Sequence, residues 1–112
     1  MSAKNAIFYI FAEVLNIFVG KQLYKKQTGF VEKTIGDELV IVPLVGAVAQ
    51  MERVFSLNEL GVFIYNSLNS PKSEEEVIKL ILNEFEIDQQ TAKEDLKHFL
   101  DKAVENGIVQ EL

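Results

Sequence analysis

The sequence predicts an α+β domain in which a three-stranded antiparallel sheet is followed by a bundle of three helices. Three observations predict it. Two β-prone runs, "FVEKTI" and "ELVIVP", flank Gly36-Asp37, a two-residue connection that favours a hairpin. The alternating segment "AVAQMERVF" follows. Past it the apolar period lengthens from two to about 3.6, and three helix-start signals succeed one another. The 112 residues, 48% hydrophobic and 25% charged, suit one ordinary globular domain.

Residues 1–28 are read as an apolar and basic extension, and residues 29–112 as the domain proper. Within the extension, "AIFYIFAEVLNIFVG" carries Ile7, Ile10, Phe11, Val14 and Phe18 at helical spacing. It is shorter than the roughly 20 apolar residues of a membrane span, and Glu13 and Asn16 interrupt it. It also lacks the basic start and small-residue cleavage site of a secretory signal. The reading is a helix that covers part of the core or a second subunit, making a homodimer. The sharper alternative is a membrane-surface anchor aided by Lys21, Lys25 and Lys26, and membrane contact is not expected. Phe, Ile, Tyr and Val equally suit a strand, so the alternatives stay open.

The domain begins with "FVEKTIGDELVIVP". Pro43, lacking an N–H, is expected to close the second strand. In the third strand Ala47, Ala49, Met51, Arg53 and Phe55 alternate with Val48, Gln50, Glu52 and Val54. Neither set is wholly apolar, which suits an edge strand with one row of backbone groups unpaired. Ser56 with Glu59 and Ser73 with Glu76 read as capping boxes, and Asp88 as the third cap. The first helix, from Leu57 to Leu68, is apolar nearly all round and is expected between the sheet and the other helices. The second presents Val77, Ile78, Ile81, Leu82 and Phe85 as one stripe, and the third Ala92, Leu96, Phe99, Leu100, Ala103 and Val104. Gly107 stops the third helix, and "IVQEL" adds a short strand or packs down.

Several chemistries are excluded. The chain has no cysteine, so disulfides and thiolate sites are out. Its one histidine, His98, lies about 160° round the third helix from Leu100 and faces solvent. The six glycines form no phosphate-binding pattern. Glu74, Glu75 and Glu76 read as a solvated first turn that complements the helix dipole. No catalytic site, cofactor or metal is expected, and the chain reads as a binding module rather than an enzyme. The net charge of −6 is split: residues 1–29 carry +3, whereas residues 30–112 hold seven basic against sixteen acidic groups, −9. An acidic body repels phosphate backbones, so nucleic acid is not an expected partner.

From "AVAQMERVF" through "SLNELGVFIYNSLNSPKSEEEVIKLILNEFEIDQQTAKEDLKHFLDKAVENGIV" the order of elements resembles the PqqD family. The marks are Leu57-Asn58-Glu59 with Gly61, Glu76-Val77, Asp88, Asp95 with Phe99-Leu100, and Gly107-Ile108-Val109, and the likeness spans residues 29–110. The resemblance implies a winged-helix-like domain, cytoplasmic and without catalysis. Such a protein binds the leader of a ribosomally made precursor peptide and presents it to a modifying enzyme, typically a radical S-adenosylmethionine enzyme, as in PQQ biosynthesis. It further implies that the leader adds as a strand to the edge of the third strand, in the groove against the third helix.

On this reading the candidate peptide-binding residues are Val48, Gln50, Glu52 and Val54 on the strand, and Lys93, Lys97, Leu100 and Val104 on the helix. Strand addition uses main-chain hydrogen bonds for affinity and flanking pockets for specificity. Leu100 and Val104 widen the apolar stripe of the third helix on the side where Lys93 and Lys97 lie. They form either an apolar lip for the peptide or a contact with the final segment or the N-terminal helix. The competing function is a winged-helix DNA-binding regulator, since the helix order is compatible. Against it, residues 88–106 carry three lysines and five acidic groups, −2, where a groove-reading helix would be basic.

Overall fold

The computed structural model describes residues 21–45, 48–49 and 54–112. The helix expected at residues 6–19, and Gln50 and Glu52, lie outside them. The chain folds as an α+β domain with a three-stranded antiparallel sheet and three helices, to which a second small sheet is added.

β2 (Phe30–Ile35) and β3 (Glu38–Val45) form the expected hairpin, in register from Phe30↔Pro43 to Ile35↔Glu38. Gly36 takes φ +62° and Asp37 does not turn positive, the pattern of a type II′ turn, whose first central position favours glycine. Pro43 does not end β3, which runs on to Val45. The Leu44 N–H donates to the Gly29 carbonyl at 2.8 Å, so even-numbered β3 residues bond towards β2. By alternation the imide of Pro43 faces the other neighbour, where it has no N–H to give. On that side the third strand pairs in two pieces. β4 (Val48–Ala49) lies against Val45 and Leu44, and β5 (Phe55–Leu57) against Ile41 to Leu39.

The second sheet was not foreseen as such. β1 (Leu23–Lys26) lies between β6 (Lys72–Ser73) and β7 (Val109–Glu111), with Leu23↔Ser73 and Tyr24↔Glu111 paired. Leu23–Lys26, expected within the N-terminal extension, thus pairs with strands on both sides. Lys26 fastens β1 in place. Its Nζ lies 4.2 Å from the Tyr65 ring centroid, 3.0 Å from Asn66 Oδ1 and 3.4 Å from Glu32, while its N–H donates to the Leu68 carbonyl. "IVQEL" does supply a short final strand.

α1 (Glu59–Ser67) starts later than expected. Ser56 is part of β5 and donates its hydroxyl to Glu38, so it caps nothing; Asn58 caps α1 by accepting from the Gly61 N–H at 2.9 Å. A Cβ on Gly61 would sit 3.3 Å from both Asn58 Oδ1 and Leu57 Cβ, so the missing side chain lets the strand end close on the helix. α1 buries Ile64, Tyr65 and, just past it, Leu68, but leaves Leu60, Val62 and Phe63 half-buried, so it is wrapped on one side only. α2 (Glu74–Glu84) carries the expected capping box of Ser73 and Glu76. α3 (Gln89–Glu105) is capped by Asp88, which accepts from Thr91 N at 2.7 Å. That bond holds the Asp88 carboxyl below its ordinary range.

Gly107, at φ +76°, closes α3: its N–H reaches the Val104 carbonyl and that of Ile108 the Ala103 carbonyl, a Schellman motif. Ile41, Ile64, Leu68, Ile81 and Leu96, all at 1% exposure or less, form the centre where sheet and helices meet. Each such side chain contributes about 1.5–3 kcal/mol by burial.

Candidate functional site

In β5, Phe55 and Leu57 pair with Ile41 and Leu39, whose backbones point away from β2; their own groups are thus turned inward. By the alternation of an antiparallel ladder, the N–H and C=O groups of Ser56, and of Val54 before it, point outward. Among the described residues no backbone group bonds to Ser56. Among the described residues β5 pairs with β3 alone, so the sheet ends there on an open edge. Val54 is 42% exposed there.

Beside this edge runs a groove whose far wall is α3. Its upper part, about 530 Å³, is lined by Ser56, Leu57, Leu60, Asp95, His98 and Phe99, with Glu38 and Lys102 on the rim. Its lower part, about 300 Å³, lies among Val54, Phe55, Phe99, Ala103, Asn106 and Ile108. Phe99 and Leu57 are common to both, and Lys102 stands beside both. The floor is apolar, and the rim carries two acids and a lysine around an exposed histidine. An extended chain seated on β5 would direct alternate side chains into these depressions, since neighbours on one face of a strand are about 7 Å apart.

Of the expected strand residues, Val54 stands at the groove and is not brought together with the expected helix residues. Val48 pairs with Val45 in β4, and Val54 stands at the open edge next to the groove. Lys93, Lys97, Leu100 and Val104 lie on the opposite flank of α3. Leu100, only 3% exposed, belongs to the core, and with Val104 it lines a shallow depression beside Tyr24 and Glu111 of the second sheet. Of the two readings of these residues, this placement accords with the contact with the final segment, since Leu100 and Val104 stand beside β1 and β7. Lys93 lies near Lys21 and Glu75, and Lys97 Nζ sits 3.6 Å from Asp101 in an exposed pair.

The residues that sequence reasoning missed are Asp95, His98, Phe99 and Lys102 as a set. Phe99 was in the stripe, but helical period alone gives two flanks to that stripe and does not say which meets the third strand.

Among the described residues no group of three His, Asp or Glu is placed to hold a metal ion. No described helix is long and apolar enough to cross a membrane. Tyr24, beside Glu74 and Glu111, has its hydroxyl pushed above the ordinary value by burial first and by those carboxylates second. That group is remote from the groove and serves packing.

A three-stranded antiparallel sheet with an open outer edge, backed by three helices and flanked by a groove, defines a small α+β domain. The model of the family described as coenzyme PQQ synthesis protein D (PqqD) matches residues 38–109, more than half of the chain, and the chain belongs to that family. Among solved structures it is similar to TbiB1 in complex with the TbiA(beta) leader peptide. That likeness has 28% identity and a TM-score of 0.63 over 77% of this chain and 94% of the other. It is also similar to lasso peptide synthetase B1 complexed with the leader peptide. There the identity is 16% and the TM-score 0.62 over 78% and 96%, a likeness of fold alone. No curated protein sequence matches the chain.

Proposed function

We propose that this protein is a non-catalytic peptide-binding partner. It takes the leader of a ribosomally made precursor peptide as an added strand on β5 and presents the peptide to a modifying enzyme in the cytoplasm. The observation that carries the proposal is the outer edge at Val54 and Ser56, unpaired among the described residues and set beside a groove that presents Leu57, Leu60 and Phe99. Membership of the PqqD family supports it, as do two solved relatives that hold leader peptides. A radical S-adenosylmethionine enzyme is the recipient the family suggests.

Within the site, main-chain groups of β5 supply the backbone hydrogen bonds and Phe55, Leu57, Phe99 and Ala103 receive apolar side chains. Lys102 attracts an acidic residue of the peptide. Of the expected strand residues this reading keeps Val54, and on α3 it uses the flank that faces β5 in place of Lys93, Lys97, Leu100 and Val104. The charge of α3, with three lysines against four acids within Gln89–Glu105, weighs against a duplex-reading role.

The test is titration of the isotope-labelled protein with a synthetic leader peptide, taken from a short precursor gene adjoining this one. Amide shifts centred on residues 54–58 and on 95, 98, 99, 102 and 106 are expected. Shifts confined to α2 or to the Gly36-Asp37 turn would overturn the assignment.

A further inference from the structure

The groove beside β5 is unevenly charged along its length. Its upper part has carboxylates from both walls, Glu38 of β3 and Asp95 of α3, with His98 one turn further along the helix. The Ser56 hydroxyl donates to Glu38 Oε2 at 3.1 Å, which holds that carboxylate against the edge strand. Among the described residues the lower part is lined by no carboxylate. Its one charged group is Lys102, which stands where the two parts meet, with Asn106 beyond it. The described salt bridges lie elsewhere on the domain, so among the described residues these groups do not neutralise one another. Asp95 and Lys102 are two turns apart, about 10 Å along the axis of α3. An extended peptide covers that length in about three residues.

The direction of the peptide follows from the strands. β5 runs from Phe55, at the lower part, to Leu57, whose partner Leu39 adjoins Glu38 at the upper part. Every described ladder of this chain is antiparallel. A peptide added to β5 in the same sense enters at the upper part and leaves at the lower. A peptide carboxylate at the upper part would meet two like charges, whereas a cation there meets two opposite ones. Beside Lys102 the preference reverses. Attraction at the right place and repulsion at the wrong one both contribute to selectivity.

We infer that the groove selects its peptide by the order of its charges: a basic side chain is taken up by Glu38 and Asp95, and an acidic one about three positions later by Lys102, with apolar side chains over Leu57 and Phe99 between them. This rests on the strand-addition reading and adds to it a basic residue and a direction. Glu38 and Asp95 are then specificity-determining residues, and a peptide of the same composition with the two charges exchanged is a poor ligand.

The probes are the synthetic leader peptide of the adjoining precursor gene and a version in which its basic and acidic residues exchange places. The exchange keeps the net charge, so general attraction to the acidic body, −9 over residues 30–112, is the same for both. Isothermal titration with the full chain is expected to find the exchanged peptide about tenfold weaker. Glu38→Gln and Asp95→Asn, on exposed side chains whose size is kept, are each expected to weaken the natural peptide by about two- to fivefold. Neither should affect a peptide whose basic residue is replaced by glutamine. Glu84→Gln makes the same charge change on α2, away from the groove, and is expected to leave the affinity as it was. A β5-bound leader segment with no basic residue ahead of an acidic one, an exchanged peptide that binds equally well, or equal effects of Glu84→Gln and Asp95→Asn would each overturn the inference. Amide shifts at residues 54–58 would in those cases leave strand addition standing, whereas their absence would overturn both.

Discussion

Ser56→Pro isolates strand addition from everything else in the fold. Ser56 is exposed, and its N–H points outward from β5, so proline removes a donor that no described residue uses. The bonds that hold β5 to β3 belong to Phe55 and Leu57 and are untouched. Proline is tolerated on an edge strand when its missing N–H faces solvent, and the preceding Phe55 is already extended, as a residue before proline prefers. The hydroxyl also lost, 3.1 Å from Glu38, is an exposed contact of small worth. For a docked peptide the loss is larger. It forfeits a hydrogen bond of about 0.5–1.5 kcal/mol and leaves its own carbonyl desolvated and unpaired, at about 1–3 kcal/mol. Together these amount to about 1.5–4.5 kcal/mol, roughly a tenfold to two-thousandfold loss of affinity. Ser56→Ala, which keeps the N–H, serves as control and should bind within about threefold of wild type. Isothermal titration with the leader peptide reads the affinities, and thermal melting shows that both variants stay folded. If Ser56→Pro is folded and binds as wild type does, the peptide does not pair with β5 and the argument from the open edge fails.

The two flanks of α3 should answer differently. Leu100→Asp places a charge at a 3%-exposed core position and should lower stability by about 3 kcal/mol or more, read as a large fall in melting temperature. Lys97→Glu disturbs only an exposed pair with Asp101 and should change neither stability by more than about 1 kcal/mol nor peptide affinity; an affinity loss there would return the site to the Lys97 flank. Burial first, and Glu32 second, push the Tyr65 hydroxyl up to about 12 from 10.0. Because the folded value is the higher one, Tyr65 contributes stability in full below pH 10.0 that is lost as pH rises towards about 12. Tyr65→Phe should therefore flatten the alkaline limb of a stability-against-pH curve measured by circular dichroism, and an unchanged limb would exclude Tyr65 as its source.

What the sequence disclosed follows from how local each signal is. The Gly36-Asp37 hairpin, the Ser73 box, the Asp88 cap and the Gly107 stop are all decided within a few residues, and the structure contains them. Ser56 misled because a nearer and better cap, Asn58 with Gly61 inside the helix, lay two residues on. β1 and β6 were invisible because their partners are remote in sequence, Leu23 with Ser73 and Tyr24 with Glu111, and short strands have too few residues to show a period. The groove was half legible. Alternation in the third strand announced an edge, and the stripe on α3 announced an apolar wall. The two flanks differ in what packs beside them: β1 and β7 stand by Leu100 and Val104, and β5 by Phe99 and Lys102, contacts remote in sequence that no helical period discloses.

The change of register between β4 and β5 has a consequence for the protein's solubility. An exposed strand edge is a template on which further chains can stack into fibrils, and long flat edges are the dangerous ones. Here the described strand β5 is three residues long, and the register changes on either side of Pro43, from Leu44↔Ala49 to Ile41↔Phe55. So short a ledge cannot nucleate an endless ladder, nor can its few main-chain bonds hold an arbitrary peptide against the entropy of ordering it. Capture then depends on side chains that also fit the groove, so the shortness that guards against polymerisation also enforces selectivity.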